Sequence, residues 1–368
     1  MIDFINLKNF KSFKDSGSRL PSFGAIVGKN AAGKTNLVQA ILLTKNLITG
    51  GDVFRATTNI SPIFSEVFNA NSNSDEFDLK IKLSNGAKYT LDFSVAELEG
   101  DNPIVIKRER LDVDNRLVYL REGDDLKGND GSTIPLSVDK SKLVIAFYNQ
   151  GLALAVKKIF SDVYITEQYA DIGEAIGSAD VNEETLASLL VRLSQNKDLY
   201  EKFMTISRKM MPYLASFEEL KLHNNVEERQ PSEEKYLVLL KEHNLKKQLS
   251  TRIISDGDLR TLYLIGMALM RAPHSTLIIE EIENGMHPKR IQELIDHLDT
   301  ISKINDIQIL FTTHSSFVIN RLAPQEILLV EKTKDGSRMT LLSESDQSTG
   351  IQRMLENGGK VTDYLQNL

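Results

Sequence analysis

Residues 28–35 read Gly-Lys-Asn-Ala-Ala-Gly-Lys-Thr, which meets the pattern G-x-x-x-x-G-K-[ST] at every fixed position. The flanks constrain the fold as much as the loop does. Phe23-Gly24-Ala25-Ile26-Val27 is a short apolar run of the kind that forms a buried strand. Asn36–Leu43 has the spacing of a helix leaving the loop. Strand, glycine-rich turn and helix start together present backbone N–H groups and positive potential to phosphate oxygens. Gly28, Lys29, Asn30, Ala31, Ala32, Gly33, Lys34, Thr35 and Asn36 are therefore expected to line a phosphate site. Lys34 would reach the β- and γ-phosphates and Thr35 would hold Mg2+.

Composition narrows the class. A chain of 368 residues, 41% hydrophobic and 26% charged, has room for one large α/β domain or two smaller ones. No apolar run approaches the ~18 residues needed to cross a bilayer. Met1–Lys8 lacks the basic-then-apolar layout of a signal peptide, so a cytoplasmic protein with no membrane partner is expected. The absence of cysteine excludes disulfides, cysteine zinc sites and a zinc-hook dimer. A net charge of −7 argues against a surface that grips nucleic acid all over, while Lys8/Lys11/Lys14, Lys107/Arg108/Arg110 and Lys246-Lys247 leave room for a local basic groove.

Patterning organises the chain into an α/β whole with an insertion. Alternation at Phe77, Leu79, Ile81, Leu83 and at Tyr89, Leu91, Phe93 around Asn85-Gly86 predicts a β-hairpin. Ile104–Val113 and Arg116–Arg121 predict a further pair, and 121–140 reads as a polar, glycine-rich connection. Residues 141–216 have mostly helical spacing, Phe217–His223 and Tyr236–Glu242 read as strands, and 227–234 reads as a charged, exposed turn. The α/β character returns after Gln248. The expected divisions are 1–140, a mostly helical lobe at 141–248, a second α/β half at 249–345 and a tail at 346–368.

Three more segments carry chemistry. Thr276-Leu277-Ile278-Ile279-Glu280-Glu281 is an apolar strand ending in two acids, which suits one carboxylate for the Mg2+ shell and another to polarise water. Phe311-Thr312-Thr313-His314-Ser315-Ser316 ends a buried strand in a polar cluster whose histidine can hydrogen-bond a γ-phosphate. In Ile254–Arg260, Ser255 is suited to cap the following helix and Gly257 leaves backbone N–H groups open. Such a second anion-binding helix start is redundant within one subunit but useful across a dimer.

In this order the four segments resemble the ABC-type ATPases of the RecF/SMC/OLD group: a Walker A loop GKNAAGKT, a signature-like ISDGDLR, a Walker B IIEE followed by IENGMHP, and a switch histidine in TTHSS. Phe4–Lys14 looks like that group's first strand and adenine-side turn. Closest in pattern are stand-alone bacterial AAA-domain proteins of abortive-infection type, many linked to phage defence. The resemblance implies an ABC-type P-loop fold with a strand-rich N-terminal subdomain and a helical insertion. It implies ATP and Mg2+ as ligands, Thr35 and Glu280 at the metal, and Glu281 as the catalytic carboxylate. Lys34 and His314 act beside it, and Ser255 and Gly257 contact ATP on the other subunit. Asn284, Gly285 and His287 fall where the group crosses its dimer interface.

Glu280 stands where the group commonly has Asp, Ile282 where it often has Pro, and the Q-loop position is open between Gln150 and Gln39. The stretch after His314 is too short for the TOPRIM nuclease that OLD-type proteins append. The expected protein is thus an ATP-hydrolysing homodimer or higher homo-oligomer, the regulatory ATPase of a defence system with a separate nuclease or toxin. The alternatives are a RecF-type DNA clamp, a transporter ATPase and a non-hydrolysing scaffold.

Overall fold

In the computed structural model, the alternating apolar residues of the first third of the chain become the inner face of one sheet. The structure describes residues 1–51, 67–69, 74, 76–85, 87–97, 104–135, 139–147, 151–166, 176–178, 185–221 and 235–365. The chain runs β1 (Ile2–Phe10), β2 (Phe13–Arg19), β3 (Phe23–Val27), α1 (Lys34–Ile48), β4 (Glu76–Ser84), β5 (Lys88–Glu97), β6 (Ile104–Val113), β7 (Arg116–Glu122), β8 (Asp125–Gly128) and β9 (Thr133–Pro135). Next come α2 (Val144–Phe147), α3 (Gly151–Ser161), β10 (Val163–Thr166), β11 (Ile176–Ser178), α4 (Leu186–Ser194), α5 (Lys197–Met210), β12 (Leu214–Lys221), β13 (Lys235–Glu242), β14 (Leu249–Ser250) and α6 (Asp256–Leu269). It ends with β15 (Thr276–Ile279), α7 (Pro288–Asn305), β16 (Gln308–Thr312), α8 (Ser316–Ile319), β17 (Ile327–Thr333), β18 (Gly336–Leu341), α9 (Ser348–Glu356) and α10 (Val361–Leu365).

Contacts divide the chain into two units, Met1–Ile165 with His274–Ile278 and Ile307–Leu368, and Thr166–Pro273 with Ile279–Asp306. In the first, an eight-stranded sheet runs β2-β1-β4-β5-β6-β7-β8-β9. Phe77, Leu79, Ile81 and Leu83 of β4 face inward, and Leu79 pairs with Phe93 and Ile81 with Leu91 across β5. The segment 121–140, read from sequence as a loop, contains β8 and β9, which extend the sheet by antiparallel pairing. Its polar residues misled because these strands are mostly exposed, where alternation carries no apolar signal. The basic residues of the outer face are largely ion-paired: Lys8 with Asp78, Lys107 with Glu76, Arg108 with Asp92 and Arg110 with Asp112.

The second sheet of this unit runs β10-β15-β16-β3-β17-β18. β3 pairs in parallel with β16 on one side and β17 on the other. β3, β15 and β16 are buried along their whole length, as strands covered on both faces must be. β10 belongs to this sheet too, although 141–216 reads as helical; a four-residue strand between helices leaves too little pattern to see. The two sheets are joined by serines. Ser16 and Ser18 of β2 accept from the backbone N–H groups of Met339 (2.9 Å) and Leu341 (3.0 Å) of β18, and Ser337 N–H donates to Ser12 carbonyl (2.6 Å).

One side chain ties together the amino-terminal edge of the second sheet. Gln308 is buried and its amide nitrogen donates to the carbonyls of Ile2 (2.9 Å) and Pro21 (2.8 Å). Its amide oxygen accepts from Ile2 N–H (2.8 Å) and the Thr276 hydroxyl (2.9 Å). A second buried polar cluster fixes α2. Glu109 is 0% exposed and accepts from the Tyr119 hydroxyl, Val144 N–H and Ile145 N–H. Beside it buried Arg121 donates to Lys142 carbonyl (2.8 Å). Burial pushes the Glu109 carboxyl up, and the Tyr119, Val144 and Ile145 hydrogen bonds and the Arg121 charge oppose this.

In the second unit β12 pairs antiparallel with β13, which also pairs β11 and β14, so the lobe read as mostly helical carries a small sheet beside α4, α5, α6 and α7. The charged turn expected at 227–234 lies outside the described residues, as do Gly86 and Gln150. α6 is buried almost all round, as expected of the central helix of a unit.

Two stability predictions follow from the buried polar groups. Gln308→Leu strands four partners, and at ~1–3 kcal/mol for each buried unsatisfied group it should lower unfolding free energy in urea by at least about 3 kcal/mol. Glu109 has a folded pKa above its ordinary 4.5, so its contribution is fully present below that value and lost as pH rises through the folded pKa. Comparing Glu109→Gln with wild type across pH, the stability difference should favour wild type most in acid and shift toward the variant as pH rises. A pH-independent difference would contradict the assignment.

Candidate functional site

The carboxyl ends of β3 and β16 deliver the first group of residues. Ile26 pairs with Thr312 in the parallel register, so the loops after Val27 and Thr312 leave the same edge of the sheet. The first becomes the Gly28–Thr35 loop and the second carries His314. Gly28, Lys29, Ala32, Thr313 and His314 line one cavity of about 530 Å3. His314 is exposed, and the Thr313 hydroxyl accepts from Ser315 N–H (3.0 Å), shaping the turn after it.

Within the loop, Gly33 stands at the head of α1 with φ 114, where an L side chain is strained, and a Cβ there would lie 2.7 Å from the hydroxyls of Ser12 and Ser337. Those two serines clamp the loop. Ser337 Oγ donates to Ala32 carbonyl (2.5 Å) and Ser12 Oγ accepts from the Asn36 amide (2.8 Å). No side chain caps α1. A helix start of this kind, preceded by a glycine-rich turn, is suited to an anion. Lys34 is buried to 8% exposure and its Nζ donates to the carbonyls of Gly28 (2.9 Å) and Lys29 (3.2 Å), so its charge sits inside its own loop.

Lys29, Asn30, Ala31 and Thr35 are exposed, and Ala31 has φ 61. An exposed threonine hydroxyl on the first turn fits Mg2+ in the mode where nucleotide phosphates and water fill most of the shell. Among the described residues no group of three or more His, Cys, Asp or Glu could hold a metal alone. Gln39, one Q-loop candidate, accepts from Lys11 Nζ (2.7 Å) and so supports the turn between β1 and β2.

The second group lies in the second unit. Ser255 is the N-cap of α6 and accepts from Asp258 N–H (3.3 Å), as its sequence position suggests. Ser255 and Gly257 line a cavity of about 710 Å3 with Gly285, His287 and Lys289. His287 caps α7 through Nδ1, accepting from Lys289 N–H (3.3 Å), ahead of Pro288. Asp258, which sequence reading left without a role, is held by the Tyr213 hydroxyl (2.6 Å) and by Arg290.

Glu280 and Glu281 follow β15 and are half-buried. Glu281 has φ 46, a left-handed conformation that costs a non-glycine residue ~1–2 kcal/mol. Its carboxylate accepts from the Asn284 amide (2.8 Å) and its carbonyl from Asn284 N–H (3.0 Å). Arg260 Nη2 donates to the carbonyls of both Glu280 (2.7 Å) and Glu281 (3.0 Å). Sequence reading missed Arg260, though a signal was there: it is the one charged residue between Asp258 and Arg271 in an otherwise apolar helix.

Residues 163–320 match the family model described as "AAA domain, putative AbiEii toxin, Type IV TA system". The chain is similar to an ATP/GTP phosphatase of Helicobacter pylori, 24% identical, with 94% of each chain covered. It is also similar to the chromosome partition protein Smc of Methanocaldococcus jannaschii, 27% identical over 57% of this chain but 19% of that protein. Among solved structures, an Smc head bound to the C-winged helix domain of ScpA superimposes with TM-score 0.58 at 14% identity, covering 92% of this chain and 96% of that one. An Smc head with an extended coiled coil bound to the C-terminal domain of ScpA, derived from Pyrococcus furiosus, gives 0.55 at 13%, covering 96% and 99%. The fold is that of Smc heads.

Removing the loop cation tests the first group. Lys34→Ala should abolish measurable ATP binding by calorimetry, each charge-assisted contact to phosphate being worth about 1.5–3 kcal/mol. The variant should keep its native fold by circular dichroism; unchanged affinity would remove the loop from the site.

Proposed function

Taking the chain as an ABC-type ATPase of the RecF/SMC/OLD group, we propose that it binds ATP at Gly28–Asn36 and hydrolyses it as a head-to-tail dimer. The observation that carries this reading is Glu281. A carboxylate held in a strained backbone conformation directly after a buried strand, with its side chain fixed by Asn284, is oriented rather than merely present. Glu281 orients the attacking water and accepts its proton, and Lys34 holds the β- and γ-phosphates. His314 hydrogen-bonds the γ-phosphate. Thr35 and Glu280 are the residues that would hold Mg2+, which would supply charge neutralisation at the phosphates. Ser255 and Gly257, at an N-terminus that carries positive potential, contact the nucleotide of the second copy.

The biological role we infer is the regulatory ATPase of a bacterial anti-phage system that controls a separate nuclease or toxin. The match to a toxin–antitoxin family model over 163–320 supports it. A RecF- or SMC-like DNA-binding ATPase is the second reading, favoured by the Smc-head fold. Against it stand the net charge of −7 and the ion-paired basic residues of the outer sheet face.

Glu281→Gln should retain ATP, run as a dimer in light scattering with ATP present, and release phosphate more slowly by about 10²-fold or more, the usual worth of a general base. Wild-type turnover in that variant would sink the catalytic assignment. Turnover by the wild type that rises with added duplex DNA and falls steeply with salt would favour the second reading.

A further inference from the structure

Arg260 is 7% exposed, lies on the first turns of α6, and is spent on backbone rather than on a carboxylate. Its Nη2 donates to the carbonyls of Glu280 (2.7 Å) and Glu281 (3.0 Å), and its Nε has no hydrogen-bond partner among the described residues. Burial pushes the guanidinium down, and the charges of Glu283 and Glu281 oppose that. Burying a cation this deeply is unfavourable unless the bonds it makes are needed.

The same helix start meets the segment 280–290 at three other points. A Cβ on Gly257 would lie 2.5 Å from Gly285 carbonyl, so only glycine permits this approach. Asp258 binds Arg290 of α7, and the Thr261 hydroxyl packs on Met286 Sδ at 3.8 Å. Residues 257–261 and 280–290 are therefore packed as one block within the second unit.

We propose that Arg260 is a positioning residue that holds Glu281 in its left-handed conformation from the signature helix. Nucleotide engaged at Ser255 and Gly257 is thereby sensed at Glu281 of the same chain. The inference rests on the reading of Ser255 and Gly257 as contacts to the second copy's nucleotide and of Glu281 as the water-orienting group. A helix start that shifts toward a ligand carries Arg260 with it, and the two carbonyls follow.

The test uses the full chain as wild type, Arg260→Met and Arg260→Lys, the lysine variant serving if the methionine variant fails to fold. Hydrogen exchange of the 280–286 amides is read first without nucleotide. Arg260→Met should speed it by about tenfold or more, and by more than it speeds exchange in α5 and α7, so that any general loss of stability from the two stranded carbonyls is told apart from release of the turn. With a non-hydrolysable ATP analogue, wild type should gain protection at both 255–261 and 280–286, and Arg260→Met at 255–261 alone. In steady state, kcat should fall on the order of a hundredfold with KM within about threefold, the pattern of a misplaced reacting group. Arg260→Lys, which keeps charge but reaches fewer acceptors, should lie between. Unchanged exchange at 280–286, or a kcat loss that tracks melting or KM, overturns the proposal. A wild type that neither binds nor hydrolyses nucleotide would instead overturn the functional reading, while the nucleotide-free exchange still reports whether Arg260 holds the turn.

Discussion

β3 has no neighbour from its own half of the chain. Its partners are β16 and β17, which arrive some 280 and 300 residues later, and everything after Val27 depends on their arrival. A lone five-residue apolar strand cannot hold a glycine-rich loop in a phosphate-binding shape, because its backbone groups must be paired before they can be buried. The parallel pairing supplies this. It also puts His314 on the edge from which the loop leaves, and the β17–β18 hairpin brings Ser337 to clamp Ala32. Gln308 then ties the opposite edge with four hydrogen bonds. The loop is thus preorganised by contacts of very high sequence separation.

The second unit uses a different device. There the acids do not rest on sheet pairing but on a buried arginine from α6, a glycine-to-glycine approach and an ion pair from α7. These contacts are what maintain the left-handed backbone at Glu281. The strain at that position and the buried guanidinium are unfavourable separately and make sense only as one arrangement.

How much of this was legible depended on whether local pattern and tertiary environment agreed. The strand and helix around Gly28–Thr35, β15 with its two acids, the Ser255 cap and Pro288 at the start of α7 all carry local signals, and each lies where those signals point. β8 and β9 were hidden because exposed strands need no apolar alternation, and β10 because four residues between helices give no period. Gln308 and Glu109 look like ordinary polar residues until burial and partners are known.

By itself the sequence determined that this chain builds a strand, glycine-rich loop and helix, and that two acids and a histidine end apolar strands far downstream. Those statements follow from residue type and spacing, which the backbone enforces locally. Only the tertiary structure decided which strands flank β3, which serines clamp the loop, and that Arg260 spends a buried charge on the carbonyls of Glu280 and Glu281. Pairing between distant segments and the cost of burying polar groups are properties of the folded interior, and no window of sequence contains them.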